Sequence, residues 1–443
     1  MEQIKEAAAK AEEQIERAAA SDPSIKDMTR IVEEFLHSHR VMCYGGTALN
    51  NLLPAEDQFY DKTIDIPDYD FFSETPQLHA MYLADTYYAA GYTNVEVKPG
   101  VHLKTFKVFV NYTGMADITY LHPPIFEKLW KENHVRDGIH YVSPDYLRMS
   151  VYLELSRPRG DVSRWTKVYN RLMLLNKHYP VGCQRKQEKE VEEFLSLPLR
   201  EKLEEFLEKS DVVLMGMHAV ALHTPKKLDD AQWRLPIDLL VAPEHTRANV
   251  ARLKRILPEG VTVHEYEAYA ELLPAHTDFM DSKGHVFVRM FETMACHSYH
   301  QLRDGMKVAS IPTLLQFFFA FMYADANSLS GYDPARVLCV AQRLVDMAHH
   351  MGSRRFELLT PLECIGYQST LTDMREEKSE LYTELPRDSP EFMRLFFTYN
   401  PVKITFQQKK SLRRLTRKLS APEKVVQKPK AKRTRRGRSR RRA

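Results

Sequence analysis

Three short stretches of this chain carry side chains that could do chemistry together: Gly45-Gly46-Thr47, then Asp68-Tyr69-Asp70, then Asp117. The glycines have no Cβ, so the backbone there can turn sharply and bring N–H groups against the oxygens of a triphosphate. Thr47 opens a helical stretch, Ala48 to Leu53, whose N-terminal dipole adds attraction for an anion. Ile64 to Ser73 reads as extended chain. Residues i and i+2 of a strand face the same side, so Asp68 and Asp70 are expected to be co-facial, with Tyr69 turned away. Asp117 follows the β-like run Thr105 to Tyr112 and is expected beside them in a sheet. Three carboxylates held together repel unless cations separate them. Hard divalent ions with oxygen ligands, Mg²⁺ or Mn²⁺, meet that need. Two such ions about 4 Å apart can activate an attacking hydroxyl and stabilise a leaving pyrophosphate. The expected division of labour has Asp68 and Asp70 bridging both ions. Asp117 completes the site that acts on the hydroxyl, while Gly45, Gly46 and Thr47 hold the triphosphate. A lone D-x-D or Gly-Gly pair is usually a solvated turn or a loop; the ordered combination is what carries meaning here.

The elements that must position these groups can be read around them. Helical sequence fills the first 21 residues and is broken at Ser21-Asp22-Pro23. An amphipathic helix from Asp27 to His37 leads into a strand at Val41 to Tyr44, and a further helix is expected from Leu78 to Tyr92. Ser143 to Tyr179 reads as a helical region rich in Arg, Lys and Tyr. Lys167 and Arg171 lie four apart on one helix face and are candidates to meet the triphosphate. Tyr152, Trp165 and Tyr169 either stack on bases or fill the core, and the sequence leaves both open. Helices recur from Ile311 to Tyr323 and from Val337 to His349; His349 and His350 at a helix end read as dipole partners rather than metal ligands.

The wording of the motifs is specific. Y-G-G-T-A-L-N-N-L-L-P, Q-F-Y-D and I-P-D-Y-D-F-F-S, followed by S-P-D-Y-L-R-M, E-L-S-R-P and R-W-T-K-V-Y-N-R-L, resemble the poly(A) polymerase catalytic subunits of large nucleocytoplasmic DNA viruses, over roughly residues 30–180. The resemblance implies a polymerase-β-like nucleotidyltransferase fold. It further implies a template-independent polynucleotide adenylyltransferase that uses ATP to extend RNA 3′ ends. Gly45 and Gly46 would then contact the triphosphate, and Asp68, Asp70 and Asp117 would carry two Mg²⁺ or Mn²⁺ ions. The preference for adenine comes from the family alone. A non-catalytic RNA-binding subunit, or a nucleotidyltransferase modifying a protein or small molecule once, is the alternative. A homodimer or a processivity partner is also left open.

An internal repeat is visible. Residues 31–54 align without a gap to residues 202–225, with Glu33, Glu34, Phe35, Leu36, Val41, Gly45, Ala48 and Pro54 recurring as Glu204, Glu205, Phe206, Leu207, Val212, Gly216, Ala219 and Pro225. P-D-Y-D-F-F then matches L-P-I-D-L-L, and V-F-V…M-A-D matches V-F-V…M-A-C. In the second copy Gly46 becomes Met217 and Thr47 becomes His218; Asp68 becomes Pro236 and Asp117 becomes Cys296, leaving Asp238 alone. The expected fold is therefore α+β: a nucleotidyltransferase lobe, a degenerate second lobe without activity, helical segments and a basic tail. The expected boundaries are a helical segment at 1–40, a catalytic domain at 41–190, a degenerate domain at 191–330, a helical region at 331–402 and a tail at 403–443.

With 443 residues and 44% apolar content the chain can bury a sizeable core. The start has no apolar signal region, and the greasy run near Thr313 to Ala324 is too short to span a bilayer. Five scattered cysteines, Cys43, Cys183, Cys296, Cys339 and Cys364, are expected to be reduced, as in an intracellular protein. The resemblance to viral proteins implies the host cytoplasm, at a viral factory, with the virion as an additional location. The net charge of +4 hides an asymmetry: from Lys403 onward there are 18 Lys and Arg against one acid, Glu423, so that stretch carries +17 and the remainder −13. Such a stretch is expected to be disordered and to act as an electrostatic tether for RNA.

Overall fold

Asp22 ends one helix and caps the next. α1 (Glu2–Ser21) stops before it, and its carboxylate accepts from Ser24 N (2.7 Å) at the start of α2 (Pro23–Ser38), where Pro23 fits the first turn. α2 buries Met28, Ile31, Val32, Phe35 and Leu36, a stripe at helical spacing. The computed structural model describes residues 2–61, 63–183, 196–223, 236–293, 295–324, 329, 332–351 and 356–419.

The first lobe is a mixed sheet of β1 (Met42–Cys43), β2 (Tyr69–Ser73), β3 (Val95–Pro99), β4 (Thr105–Val110), β5 (Thr113–Tyr120), β6 (His134–Arg136) and β7 (Ile139–Tyr141). Their order is β3-β4-β5-β2-β1-β7-β6. α3 (Gly45–Leu52) follows β1, α4 (Pro76–Ala89) joins β2 to β3, and α5 (Pro123–Lys131) joins β5 to β6. α6 (Pro144–Leu155) and α7 (Trp165–His178) lead out of the lobe. β4 and β5 form a hairpin whose turn, Asn111-Tyr112, has positive φ at both residues (48° and 68°). Asp117 is thus in the middle of β5, not at the end of the β4 run, and Asp68 lies just before β2 rather than within it.

The second lobe repeats this plan. α8 (Leu197–Lys209), β8 (Val212–Leu214) and α9 (Gly216–His223) are followed by β9 (Ile237–Val241), α10 (Thr246–Ile256), β10 (Thr262–Tyr266), β11 (His276–Met280), β12 (Val286–Glu292), β13 (His297–Gln301) and β14 (Lys307–Ala309). The order is β10-β11-β12-β9-β8-β14-β13, with β15 (Cys364–Ile365) added at the end. Each neighbouring pair runs in the same relative direction as its counterpart in the first sheet. α11 (Ile311–Tyr323) follows β14 as α6 follows β7, and the two helices pack on each other. Both are capped alike: the Ser143 hydroxyl accepts from Tyr146 N, and that of Ser310 from Thr313 N. α12 (Pro334–Asp346) packs on α11.

The C-terminal part returns to the first lobe. α13 (Leu371–Glu384) and α14 (Pro390–Phe396) precede Tyr399, which exchanges both backbone hydrogen bonds with Val97 on edge strand β3 (2.7 and 3.1 Å). The stretch from Lys403 is not uniformly unstructured. Phe406–Leu419 forms α15, because Lys409 (2.5 Å) and Arg413 (3.0 Å) find Asp85 on α4; residues 420–443 of the expected tail lie outside the described residues.

Two further expectations are corrected. Cys183 joins Cys339 and Cys296 joins Cys364, and Cys43 remains a buried free thiol. The bonded pairs are 156 and 68 residues apart, so their partnership is made by the fold and is invisible to local spacing. The position equivalent to Asp117 is Arg289 rather than Cys296, since Asp70 pairs with Asp117 across β2 and β5, and Asp238 with Arg289 across β9 and β12. The V-F-V match was misleading: one copy lies on β4 and the other on β12, and short apolar strand sequences are interchangeable by nature. Among the described residues no helix is long and apolar enough to cross a membrane.

Candidate active site

The site begins with a left-handed bend at a position too crowded for a side chain. Gly45 has φ +73°, and a Cβ there would lie 2.9 Å from Asp70 Oδ2. Gly46 is closed in differently: a Cβ there would meet the Tyr60 hydroxyl at 2.6 Å and an Arg171 guanidinium nitrogen at 3.1 Å. Tyr44 N, just before the bend, donates to Asp70 O (3.0 Å), fixing β1 to β2. Thr47 Oγ1 donates to Asp68 O (2.7 Å), tying the start of α3 to the loop that delivers Asp68. Asn50, one turn on, accepts from the backbone N–H of Phe59 and Tyr60 (2.8 and 2.9 Å) and holds the other end of that loop.

The acids share a neighbourhood. Asp70 and Asp117 are direct partners on parallel strands and face the same side. Burial, followed by the charges of Asp68 and Asp117, pushes the Asp70 carboxyl up to about 7. Asp68 stands at the exposed mouth, and it too is raised, by the protein around the carboxyl and then by Asp117. Lys107 on β4 is the cross-strand partner of Asp117, with Nζ 2.5 Å from Oδ2. Among the described residues no three Asp, Glu, His or Cys side chains close tightly enough to enclose a metal ion. Tyr69 points away, as expected. Its hydroxyl donates to Glu33 (2.6 Å), and it lines a cavity of about 290 Å³ between α2 and the loop before β2.

Of the two basic candidates, Arg171 reaches the bend. Its guanidinium stacks 4.1 Å from the Phe59 ring centre and 5.0 Å from that of Tyr60. Lys167, one turn earlier on α7, is exposed. Tyr152 is fully buried, stacked on Phe319, so it belongs to the core; Trp165 and Tyr169 pack partly buried against that core. His349 bonds Asn176 on α7 (2.5 Å). Sequence reasoning missed Lys107, Tyr60 and Arg164, whose charge favours ionised Asp70. Lys107 left a signal, as the one cation within the apolar run T-F-K-V-F-V.

Residues 30–161 match the family model of the poly(A) polymerase catalytic subunit. This chain is similar to the viral poly(A) polymerase catalytic subunits. A protein of Acanthamoeba polyphaga mimivirus, provisionally named as such a subunit, is 31% identical over 182 residues, or 40% of this chain and 30% of that protein. One from African swine fever virus (isolate Tick/Malawi/Lil 20-1/1983), also provisionally so named, is 28% identical over 172 residues, or 38% of this chain and 36% of that protein. The chain therefore spans about a third of the length of the curated relatives it matches. The crystal structure of the Megavirus polyadenylate synthase superposes with a TM-score of 0.76 at 18% identity, over 96% of this chain and 92% of that one. At that identity the likeness is one of fold, and it extends through both lobes.

Proposed function

We propose that this chain is a template-independent polynucleotide adenylyltransferase, adding AMP from ATP to the 3′ end of RNA. The observation that carries this reading is the pairing of Asp70 with Asp117 against the Gly45 bend, inside the segment similar to viral poly(A) polymerase subunits. In this reading Gly45, Gly46 and Thr47 bind the triphosphate through backbone N–H groups at the start of α3. Arg171, held at Gly46 by two aromatic rings, supplies positive charge where pyrophosphate departs, and Lys167 extends that charge toward solvent.

Asp68, Asp70 and Asp117 would hold two Mg²⁺ or Mn²⁺ ions. The donor set fits: hard oxygen ligands only, with Asp70 so crowded by burial and like charge that a cation is the natural relief. Bound there, such ions lower the pKa of the RNA 3′-hydroxyl and screen the charge of the leaving pyrophosphate. The chain's own residues orient the two substrates. The bend fixes where the phosphates lie, and Thr47 and Asn50 hold the loop that brings Asp68 beside Asp70.

RNA is the second partner. On α15, Lys409 and Arg413 turn inward to Asp85, while Lys410 and Arg414 are exposed and lead toward the remaining cations of the tail. That row complements a phosphate backbone. The viral relatives support an action in infected cells. The second lobe, with Met217 in place of the second glycine and Arg289 balancing its acids, serves as scaffold or RNA platform. Incubating the protein with a short RNA and each NTP separately tests the reading. A ladder of products with ATP is expected; a single addition, or no extension with any NTP, would overturn it.

A further inference from the structure

The contact between Lys107 and Asp117 follows from strand register. The two are direct partners across β4 and β5, and Asp70 is the partner of Asp117 on the other side, across β2. Cross-strand partners share a face, so one row reads Lys107, Asp117, Asp70. The second lobe fills the same three register positions with Asp278, Arg289 and Asp238.

The two rows hold their cations differently. In the second lobe the cation is in the middle, between two acids. Arg289 grips Asp278 through two hydrogen bonds (2.8 and 2.7 Å), and the two side chains are 0% and 1% exposed. A bidentate guanidinium sealed from water has no easy way out. In the first lobe the cation lies outside the two acids, with Lys98 of β3 across from it on the far side; it pairs with Asp117 and is 39% exposed on a flexible stem. Such a pair is weakly held, and an ammonium is readily rehydrated.

We propose that Lys107 is a displaceable counter-ion of Asp117: a positioning residue that keeps this carboxylate in the acid row before a divalent ion binds, and competes with that ion for it. Asp70, which Lys107 does not touch, stays under the repulsion of its neighbours and provides the remaining attraction for metal. In the second lobe a permanent cation, Arg289, fills the position of Asp117 itself, and an acid, Asp278, that of Lys107. The inference rests on the reading of Asp68, Asp70 and Asp117 as metal ligands.

The test is Mn²⁺ binding to the full chain without nucleotide or RNA, read from the paramagnetic resonance signal of free Mn²⁺. Lys107→Met is expected to bind Mn²⁺ about fivefold more tightly, the loss of one exposed ion pair as competitor. Lys107→Arg, which keeps the charge, is expected to stay within about twofold of the unaltered protein. Combining Lys107→Met with Asp117→Asn should give no tightening over Asp117→Asn alone. Should the methionine variant fail to fold, Lys107→Gln takes its place, with the same tightening expected. Unchanged or weaker affinity in a folded Lys107→Met or Lys107→Gln overturns the inference. If the unaltered protein extends RNA and binds Mn²⁺, that outcome leaves the proposed function standing. If the unaltered protein binds no Mn²⁺, the metal reading falls and this inference with it.

Discussion

Both lobes turn on the same glycine. Gly45 and Gly216 have φ of +73° and +62°, and in each the missing Cβ makes room for an Asp carboxylate, Asp70 or Asp238. Past the bend the two lobes diverge. The first lobe continues with Gly46 and Thr47, the second with Met217 and His218, whose ring is buried and pushed down to about 4, hence uncharged at neutral pH. The first row of charge ends in adjacent acids, and the second is acid, base, acid. In the second, Tyr332 also donates to Asp238. A sheet of this kind survives as long as apolar residues keep their register and the bend keeps its glycine. Chemistry needs more, namely charge left unbalanced and a bend left open.

The largest expected effect breaks that comparison outright. Asp68→Asn, Asp70→Asn or Asp117→Asn should each cut RNA extension about a thousandfold or more, ~4 kcal/mol of barrier, with RNA binding retained. Asp238→Asn should leave the rate per folded molecule unchanged. Extension surviving the first set, or lost with the last, would erase the distinction between lobes.

Stability should divide the other way. Arg289→Met leaves Asp278 buried without its partner and is expected to cost ~3–5 kcal/mol in chemical unfolding. Lys107→Met, at a half-exposed pair, should cost under about 1 kcal/mol. Equal costs would mean the two rows are held alike.

The bend offers a sharper probe. Gly46→Ala puts a methyl against the Tyr60 hydroxyl and Arg171, and is expected to raise the KM for ATP about tenfold, ~1.4 kcal/mol. Met217→Ala, at the matching position, should leave that KM unchanged.

A smaller effect comes from pH. Burial pushes the Asp238 carboxyl up to about 6. A raised folded value contributes stability that is complete below the unfolded value near ~3.9 and is lost as pH rises through about 6. Asp238→Asn removes that loss, so relative to the unaltered protein it should gain about 1 kcal/mol at pH ~8 and nothing near pH ~4. A gain that grew toward acid would reverse the assignment. Smallest is the change on α15, which docks on the first lobe: Lys410→Gln with Arg414→Gln should lower the salt slope of RNA binding by about 0.7 per lost phosphate contact. An unchanged slope would remove α15 from the RNA path.

Much of this was legible in residue types and order. Helical apolar spacing announced α11 and most of α2, though the break at Asp22-Pro23 proved to be the start of α2, four residues before the expected Asp27; the expectation that Asp117 lies in the sheet with Asp70 holds in the register of β2 and β5. The repeat of Glu-Glu-Phe-Leu and glycine announced two lobes with one plan. Errors arose where a short apolar string had to be placed without partners. V-F-V was matched to V-F-V, so Cys296 stood in for a position that β9 and β12 give to Arg289. The basic run from Lys403 read as featureless because Asp85, the acid that orders its first turns, lies more than three hundred residues earlier.

Backbone needs are local. A left-handed bend too crowded for a side chain wants glycine, and alternation sets which side chains of a strand share a face, so the sequence by itself determined the bend at Gly45 and the turning of Tyr69 away from the side of Asp70. Which strand lies beside β2, which cation meets Asp117, and which cysteines join are set by contacts between distant segments. Only the tertiary structure decided those, because register across a sheet is chosen by the packing of the whole core and not by any stretch within it.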